Sequence, residues 1–486
     1  MPANFLHGVE TIELDIGPRP IRGVKTAVIG LVGTAPLLDV AAGERTLNSF
    51  KLVTNDRDAR RYFGADRSGF TLPWALDAIF DQGNGPICVV VNVLDPATHV
   101  TAVTAEAVSL NATTLKASLA HPQVSSVVIT DVTGVTPRVL GTDYTLDAAN
   151  GIITQVVGGA LTSGDKAAYN WLDPSQPLAA DIIGTVDAAG ERTGMQAFLD
   201  TYQELGFYPK LLIAPGYAST NTIASELQVL ATKLRAMALI DAPIGTTVQD
   251  AITGRGPNGT INFNYSGDRM VLCYPHVKKY DPSTDTERLR PMSPFLAGRF
   301  GATDQAKGYW WSASNQEILG ISGVEIKLTS MINDPTSETN LLNEAGIVTL
   351  FNSFGTGIRT WGNRSAAWPV LTHPRNFINI RRTADVIHES IEYSMMQFLD
   401  APITDALIDA ITESVNMFLR TLIMRGALID GRCSWDKSKN PYTEIALGHL
   451  TFDLEFMPPP PLERITFESF IDIKMLQTLT GVVGAA

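Results

Sequence analysis

The sequence predicts an α/β multidomain protein: a layered α/β core with an inserted all-β module, and an α+β C-terminal domain bearing extended terminal strand arms. Three observations predict it. Short apolar runs such as Thr26 to Val32 and Ile87 to Leu94 alternate with segments of helical spacing, the pattern of a sheet covered on both faces. Between Asp95-Pro96 and Asp173-Pro174 the texture changes to Thr, Val, Ala and Gly with little charge. After residue 376, two amphipathic helical stretches give way to strictly alternating strands.

In residues 9–16, Ile12, Leu14 and Ile16 face one way and Thr11, Glu13 and Asp15 the other, a half-buried strand stopped by Gly17-Pro18. The run from Thr26 to Val32 reads as a central strand ending in Gly33-Thr34-Ala35-Pro36. Residues 71–82 have helical spacing, with Leu72, Leu76, Ile79 and Phe80 on one side, and lead through a Gly-rich turn into the strand Ile87 to Leu94. Within 97–172, Val124 to Val132 reads as a strand, and Tyr144–Leu146 and Ile152–Thr154 flank a hairpin turn ending in Asn150-Gly151. The α/β pattern then resumes. Helices are expected at Met195–Leu205, Ser225–Arg235 and Val248–Ile252, and strands at Lys210–Ala214, Ala236–Ile240 and Met270–Tyr274.

Further on, Phe377–Ile380 reads as a strand and Thr383–Leu399 as a helix. Thr404–Met424 reads as a longer helix capped by Thr404. Phe452, Leu454 and Phe456 alternate with polar residues. Beyond Pro458–Pro461, Ile465, Phe467, Ile471 and Ile473 alternate with Arg464, Thr466, Glu468 and Asp472, a last strand. The expected division is an arm at 1–20, a core at 21–96 and 173–375, the insertion at 97–172, a C-terminal domain at 376–461, and a strand with its tail at 462–486.

The 486 residues are 45% hydrophobic and 18% charged, enough apolar material for a large core. A net charge of -13 opposes a phosphate backbone, so no nucleic-acid partner is expected. No stretch approaches the roughly 20 apolar residues of a membrane span, so no membrane partner is expected either. The first eight residues lack a basic region and an apolar signal core. Cys88, Cys273 and Cys433 are far apart and odd in number, and read as buried free thiols suited to a reducing cytosol.

Motifs that carry chemistry are weak. Gly254-Arg255-Gly256-Pro257-Asn258-Gly259 spells a dinucleotide fingerprint, but it follows a helix and is broken by Pro257, which reads as a loop. The seven histidines are scattered, and no phosphate loop, nucleophile elbow or zinc-protease pair occurs. Asp281, Asp285 and Glu287 read as solvated loop charges, and Trp310, Trp311, Trp361 and Trp368 as packing groups. No catalytic, cofactor-binding or metal residue is assigned, and no enzyme activity or cofactor is expected. The end strands are more informative. Burying the three apolar side chains of residues 11–16 gains roughly 4–9 kcal/mol. Fixing six residues costs roughly 6–12 kcal/mol. Such a strand needs a sheet edge, from its own chain or from a neighbour.

Several stretches together resemble contractile-tail sheath proteins of phages. They include Leu31-Val32-Gly33-Thr34-Ala35-Pro36, Ala214-Pro215-Gly216-Tyr217, Gly308-Tyr309-Trp310-Trp311-Ser312 and Ile332-Asn333-Asp334-Pro335. Leu342 to Ile347, Trp361-Gly362-Asn363-Arg364, Arg381-Arg382 and Pro458 to Ile465 follow in the same order. The resemblance implies a structural subunit of the virion, assembled in the host cytoplasm. It polymerises with other copies of itself as stacked hexameric rings in a helical sheath, and contracts to drive the tube through the host envelope. It also implies tail tube, baseplate and tail terminator proteins as partners. On this reading Ile12, Leu14 and Ile16, and Ile465, Phe467, Ile471 and Ile473, are inter-subunit arm strands pairing with a neighbour's C-terminal domain. The helix face carrying Asp405, Asp409, Glu413, Asn416 and Arg420 is the candidate tube-facing surface, and 97–172 decorates the outside. The family's subtilisin-like core label implies no activity here, because the nucleophile setting is missing. The alternative is an α/β hydrolase or nucleotide-dependent enzyme with an oligomerising C-terminal domain. A tail-tube or capsid protein is a third reading, disfavoured by length.

Overall fold

The computed structural model describes residues 21, 23–83, 85–281, 284–353 and 355–480. In chain order, β1 (Val28–Gly33), β2 (Phe50–Val53), α1 (Asp56–Phe63), α2 (Leu72–Phe80) and β3 (Ile87–Asn92) open the core. The segment to residue 172 is all strand: β4 (Val100–Ala107), β5 (Lys116–Ser118), β6 (Val124–Thr130), β7 (Tyr144–Asp147), β8 (Ile152–Gln155) and β9 (Lys166–Leu172). The core resumes with α3 (Ala179–Ile183), α4 (Thr201–Leu205), β10 (Leu211–Ile213), α5 (Asn221–Leu234), β11 (Met237–Asp241), α6 (Val248–Thr253) and β12 (Met270–Cys273). A side sheet of β13 (Val277–Asp281), β14 (Thr286–Arg290) and β15 (Gly323–Val324) brackets α7 (Ser293–Lys307). Then come α8 (Glu338–Glu344), β16 (Ile347–Ser353) and β17 (Gly357–Trp361). The chain ends in α9 (Ile378–Met395), α10 (Asp405–Met424), β18 (Asp430–Trp435), α11 (Tyr442–Ala446) and β19 (Phe452–Met457).

Eight strands form the main sheet in the order β17-β16-β12-β11-β10-β1-β3-β2. Six of them run parallel, and β2 and β17 close the two edges antiparallel. Parallel strands are covered on both faces, which is why β1 and β11 are buried along their whole length. The period of two sorts their side chains into two cores. Val28, Val32, Val89, Leu212, Ala238 and Leu272 meet α5 on one face, and Ile29, Leu31, Val90, Ile213, Leu239 and Val271 meet α2 and α7 on the other.

Residues 100–172 form two three-stranded sheets, β4-β9-β6 and β5-β8-β7, around a separate core that includes Ile129, Tyr144, Ile153 and Tyr169. The Asn150-Gly151 hairpin is β7–β8, with Gly151 at φ +65° where its turn demands it.

Two expectations are corrected, and the last expected strand is not formed within the chain itself. Phe377–Ile380 is not a strand: Phe377 is the N-cap of α9, and Ile378 and Ile380 are buried in its first turn. A short apolar run fits either element, and here length decides for helix. Met195–Leu205 is a 3-10 helix, Gly194–Asp200, followed by the short α4. Ile465–Ile473 is not a strand in this chain: no helix or strand spans 458–472, and a 3-10 helix runs from Ile473 to Thr480. Cys88, Cys273 and Cys433 are buried and free.

Candidate assembly surfaces

The C-terminal domain supplies the surfaces that bear on assembly. Thr404 Oγ1 accepts a hydrogen bond from the Leu407 amide at 3.2 Å and starts α10. Val415, Leu419 and Leu422 on its inner face join Ile387, Leu428 and Cys433, with Phe452, Leu454 and Phe456 packed against them. Asp405, Asp409, Glu413 and Arg420 lie exposed on the opposite face, with Glu413 and Arg420 ion-paired. Asn416 does not belong with them. It is half-buried and turned to β18, donating to the Cys433 carbonyl at 2.9 Å and accepting from the Cys433 amide at 2.7 Å.

The β18–β19 sheet has only two strands, in antiparallel register with Cys433 opposite Leu454. A two-stranded sheet is marginal without a helix behind it, and α10 supplies that support. Its outer edges differ. On β18, the Cys433 backbone is taken by Asn416, and the Gly431 amide is taken by the Asp430 carboxylate at 2.8 Å. On β19, no described residue pairs with the outer edge between Phe452 and Phe456.

Pro458 is buried directly after β19, and the prolines end near Glu463. The Glu463 carboxylate forks onto Arg364, with Nε to Oε1 at 3.1 Å. That guanidinium lies over Trp368 at 4.2 Å and over Phe377 at 3.9 Å, and donates to Asn376 Oδ1 at 2.8 Å. The planar, multiply held Arg364 is therefore a rigid anchor for the segment that follows. Beyond it, Ile465, Phe467, Ile471 and Ile473 all stand in solvent, Phe467 at 87% and Ile471 at 91% exposure. Ile12, Leu14 and Ile16 lie outside the described residues.

Core and C-terminal domain meet through charge. Lys210 Nζ lies 2.6 Å from Glu389, both buried, and burial pushes the Lys210 pKa down while Glu389 holds it up. Arg382 donates to both Asp304 oxygens, at 2.9 Å for Nη1 to Oδ1, and the pair is almost wholly buried. Asp385 binds Arg269 and Arg381 together. The acidic loop residues are occupied: Asp281 pairs with Arg288, Glu287 with Lys278, and Asp285 accepts from Tyr280. Among the described residues, no group of three or more His, Cys, Asp or Glu is placed to hold a metal ion, and no helix is long and apolar enough to cross a membrane.

Comparison with known proteins gives this geometry its context. Residues 190–366 match the phage tail sheath protein central domain, and residues 372–472 the phage tail sheath C-terminal domain. Residues 96–176 match a family of unknown function. A tail sheath protein of Burkholderia phage BcepMu is 51% identical over 99% of this chain and 100% of its own length. The chain belongs to the phage tail sheath protein family. A tail sheath protein of Escherichia phage P2 is 27% identical, again over 99% of this chain and 100% of its own.

Two solved sheaths share the fold. The contracted helical sheath of the anti-feeding prophage aligns with a TM-score of 0.59 at 16% identity, covering 97% of this chain and 100% of the other. The contracted sheath complex of the extracellular contractile injection system PVC aligns at 0.58 and 13%, covering 98% and 100%. This sheath protein is a mixed α/β, multi-sheet structural subunit of a contractile phage tail, a virion component of a family that is structural and not enzymatic. Sequence reasoning assigned no role to Lys210, Asp304, Arg364 or Glu463. Trp361-Gly362-Asn363-Arg364 and Arg381-Arg382 were the available signals, since clustered arginines beside aromatics mark ion-pair anchors.

Proposed function

We propose that this sheath protein polymerises as stacked hexameric rings around an inner tail tube, with its two chain ends completing β-sheets in neighbouring copies. The observation that carries the reading is the segment 464–472: its alternation is that of a strand, its apolar side chains are in water, and it forms no strand in its own chain. A row of exposed Ile and Phe on unpaired backbone is costly alone and favourable once a sheet edge receives it. Residues 10–16 carry the same alternation and take the corresponding role.

The expected division into arm, core, insertion, C-terminal domain and tail serves this assembly. Gly17-Pro18-Arg19-Pro20 and Pro458–Pro461 act as stiff arm roots, because proline limits local slack. In contraction the cores rotate and slide to bury more complementary surface while the arms stay paired, and the shortening sleeve drives the tube through the host envelope. The Asp405, Asp409, Glu413 and Arg420 face meets the tube, the insertion faces outward, and baseplate and terminator proteins cap the two ends. Assembly takes place in the host cytoplasm.

Truncation tests the reading. Chains lacking residues 1–16 or 465–486 are expected to remain folded and soluble by circular dichroism, yet give no striated tubes in electron micrographs. Normal tubes from either truncated chain would overturn the proposal.

A further inference from the structure

We propose that the inserted module cannot swing on its two connections to the core. Arg67 and Gln123 bolt its second sheet down, so that module and core turn as one body when the sheath contracts. The bolts are a property of the single copy; only their consequence in contraction rests on the reading above.

The chain enters the module through β4 and leaves it through β9, neighbours in one sheet, with Val100 opposite Leu172. The two crossings lie side by side, and a body held only there could rock about them as about a hinge. The second sheet, β5-β8-β7, is joined to the core only through the first. Its β7–β8 turn nevertheless meets the core. Arg67, in the loop between α1 and α2, forks onto Asp39 at 2.6 and 2.7 Å and also donates to Asn150 Oδ1 at 2.8 Å. Asn150 is itself held by Asp147, through its amide at 3.2 Å and its Nδ2 at 2.8 Å.

Gln123, just before β6, is the second bolt. It is 1% exposed and sits at φ +59°, a left-handed conformation uncommon for a side chain of this kind. Such strain persists where the surrounding contacts over-determine it. Its Oε1 accepts from the Leu38 amide at 2.8 Å, and its Nε2 donates to Asp39 Oδ1 at 2.9 Å and to the Ala149 carbonyl at 3.2 Å. One buried side chain thus ties the core segment 37–39 to the base of β6 and to the β7–β8 turn. Beside these bonds, Leu37, Phe70 and Leu94 of the core close on Leu172 in one apolar seam, with Val100 packed against it. Rocking about the doorway would have to break the Arg67–Asn150 bond, strip two buried Gln123 bonds to the core and open the seam, all together. A turn of the core is therefore passed on to the opposite ends of the module's strands, at Thr130 and Lys166.

Two measurements on the full-length chain decide the matter. The Leu38 amide reports the junction, because it is a core donor on a module acceptor. It is expected to exchange at least about tenfold more slowly than an open amide in the monomer, and to keep that protection in sleeves before and after contraction. Arg67→Ala is expected to quicken it at least about tenfold while the amides of β1 and β3 keep their rates. An open Leu38 amide in the parent chain, or one that Arg67→Ala leaves unchanged, overturns the inference. The second measurement locks the module. Ser68→Cys and Ala149→Cys, which spare both bolts, are joined by a short bis-maleimide after sleeves have assembled, the native cysteines being buried. Linked sleeves are expected to shorten as far as unlinked ones. Linked sleeves that stay long would show that the module must swing, and overturn the inference. Unlinked sleeves that never shorten defeat the contractile reading instead, and Leu38 exchange in the monomer still decides the bolts.

Discussion

Arg255, in the glycine-rich stretch that spells a nucleotide motif, donates to the carbonyls of Phe263, Tyr265, Ala345, Ala366 and Trp368. Burial lowers its pKa to about 10, and the five carbonyls make it a staple for irregular backbone that no ladder could satisfy. Asp241 is the other buried charge of note, accepting from the Ser293 amide at 2.8 Å and from its hydroxyl at the start of α7. Burial raises its pKa to about 7, although the two Ser293 bonds pull the other way. A carboxyl at about 3.9 when unfolded and about 7 when folded stabilises fully below pH about 4, and that contribution is lost as pH rises through 7. Asp241→Asn is expected to lose this slope. Its melting temperature relative to the parent should rise from pH 5 to pH 8, and a constant difference would refute the assignment.

At the scale of elements, α10 was legible except at Asn416: its stripe, its Thr404 cap and its exposed acids stand where the 3.6-residue period puts them, while Asn416 turns to β18. Replacing Asp405, Asp409 and Glu413 by Lys and Arg420 by Glu leaves that core untouched. The variant should fold, lose roughly 1 kcal/mol at the helix N-terminus, and form sleeves that seldom enclose a tube in micrographs. Normal tube occupancy would remove this face from the tube contact. By contrast, α7 escaped sequence reasoning because it has no polar face to mark it. Ser293 to Gly298 are all buried, and a Cβ on Gly298 would stand 2.6 Å from the Ile79 carbonyl. Its glycines look like loop but serve close packing, Gly298 on α2 and Gly301 on Pro86. β18 was equally opaque, since Asp-Gly-Arg-Cys-Ser-Trp has little strand character and is held by Asn416 from another element. The 465–473 alternation was real, but a pattern states which face is apolar and not whose sheet will receive it.

Across the whole molecule, the partners that fix one domain on another are remote in sequence, Lys210 and Glu389 by 179 residues and Arg382 and Asp304 by 78. A local pattern such as Arg381-Arg382 marks one member of a pair and not its distant partner, whereas the parallel core, with its run-and-helix rhythm, could be read directly. Breaking one should be severe, because the remaining charge stays buried. Asp304→Leu is expected to cost about 3–5 kcal/mol in denaturant unfolding, with Asp304→Leu plus Arg382→Met recovering much of it. A loss below about 1 kcal/mol would mean that water reaches the junction.

The module between β3 and α3 has a further consequence. Val100 at the start of β4 is paired with Leu172 at the end of β9, so the excursion departs and returns at one doorway. Whatever lies beyond that doorway is a cassette, exchangeable for a shorter turn or a foreign ornament without changing the register of a single core strand. A lineage can therefore vary this module while the core sheet beneath it stays the same.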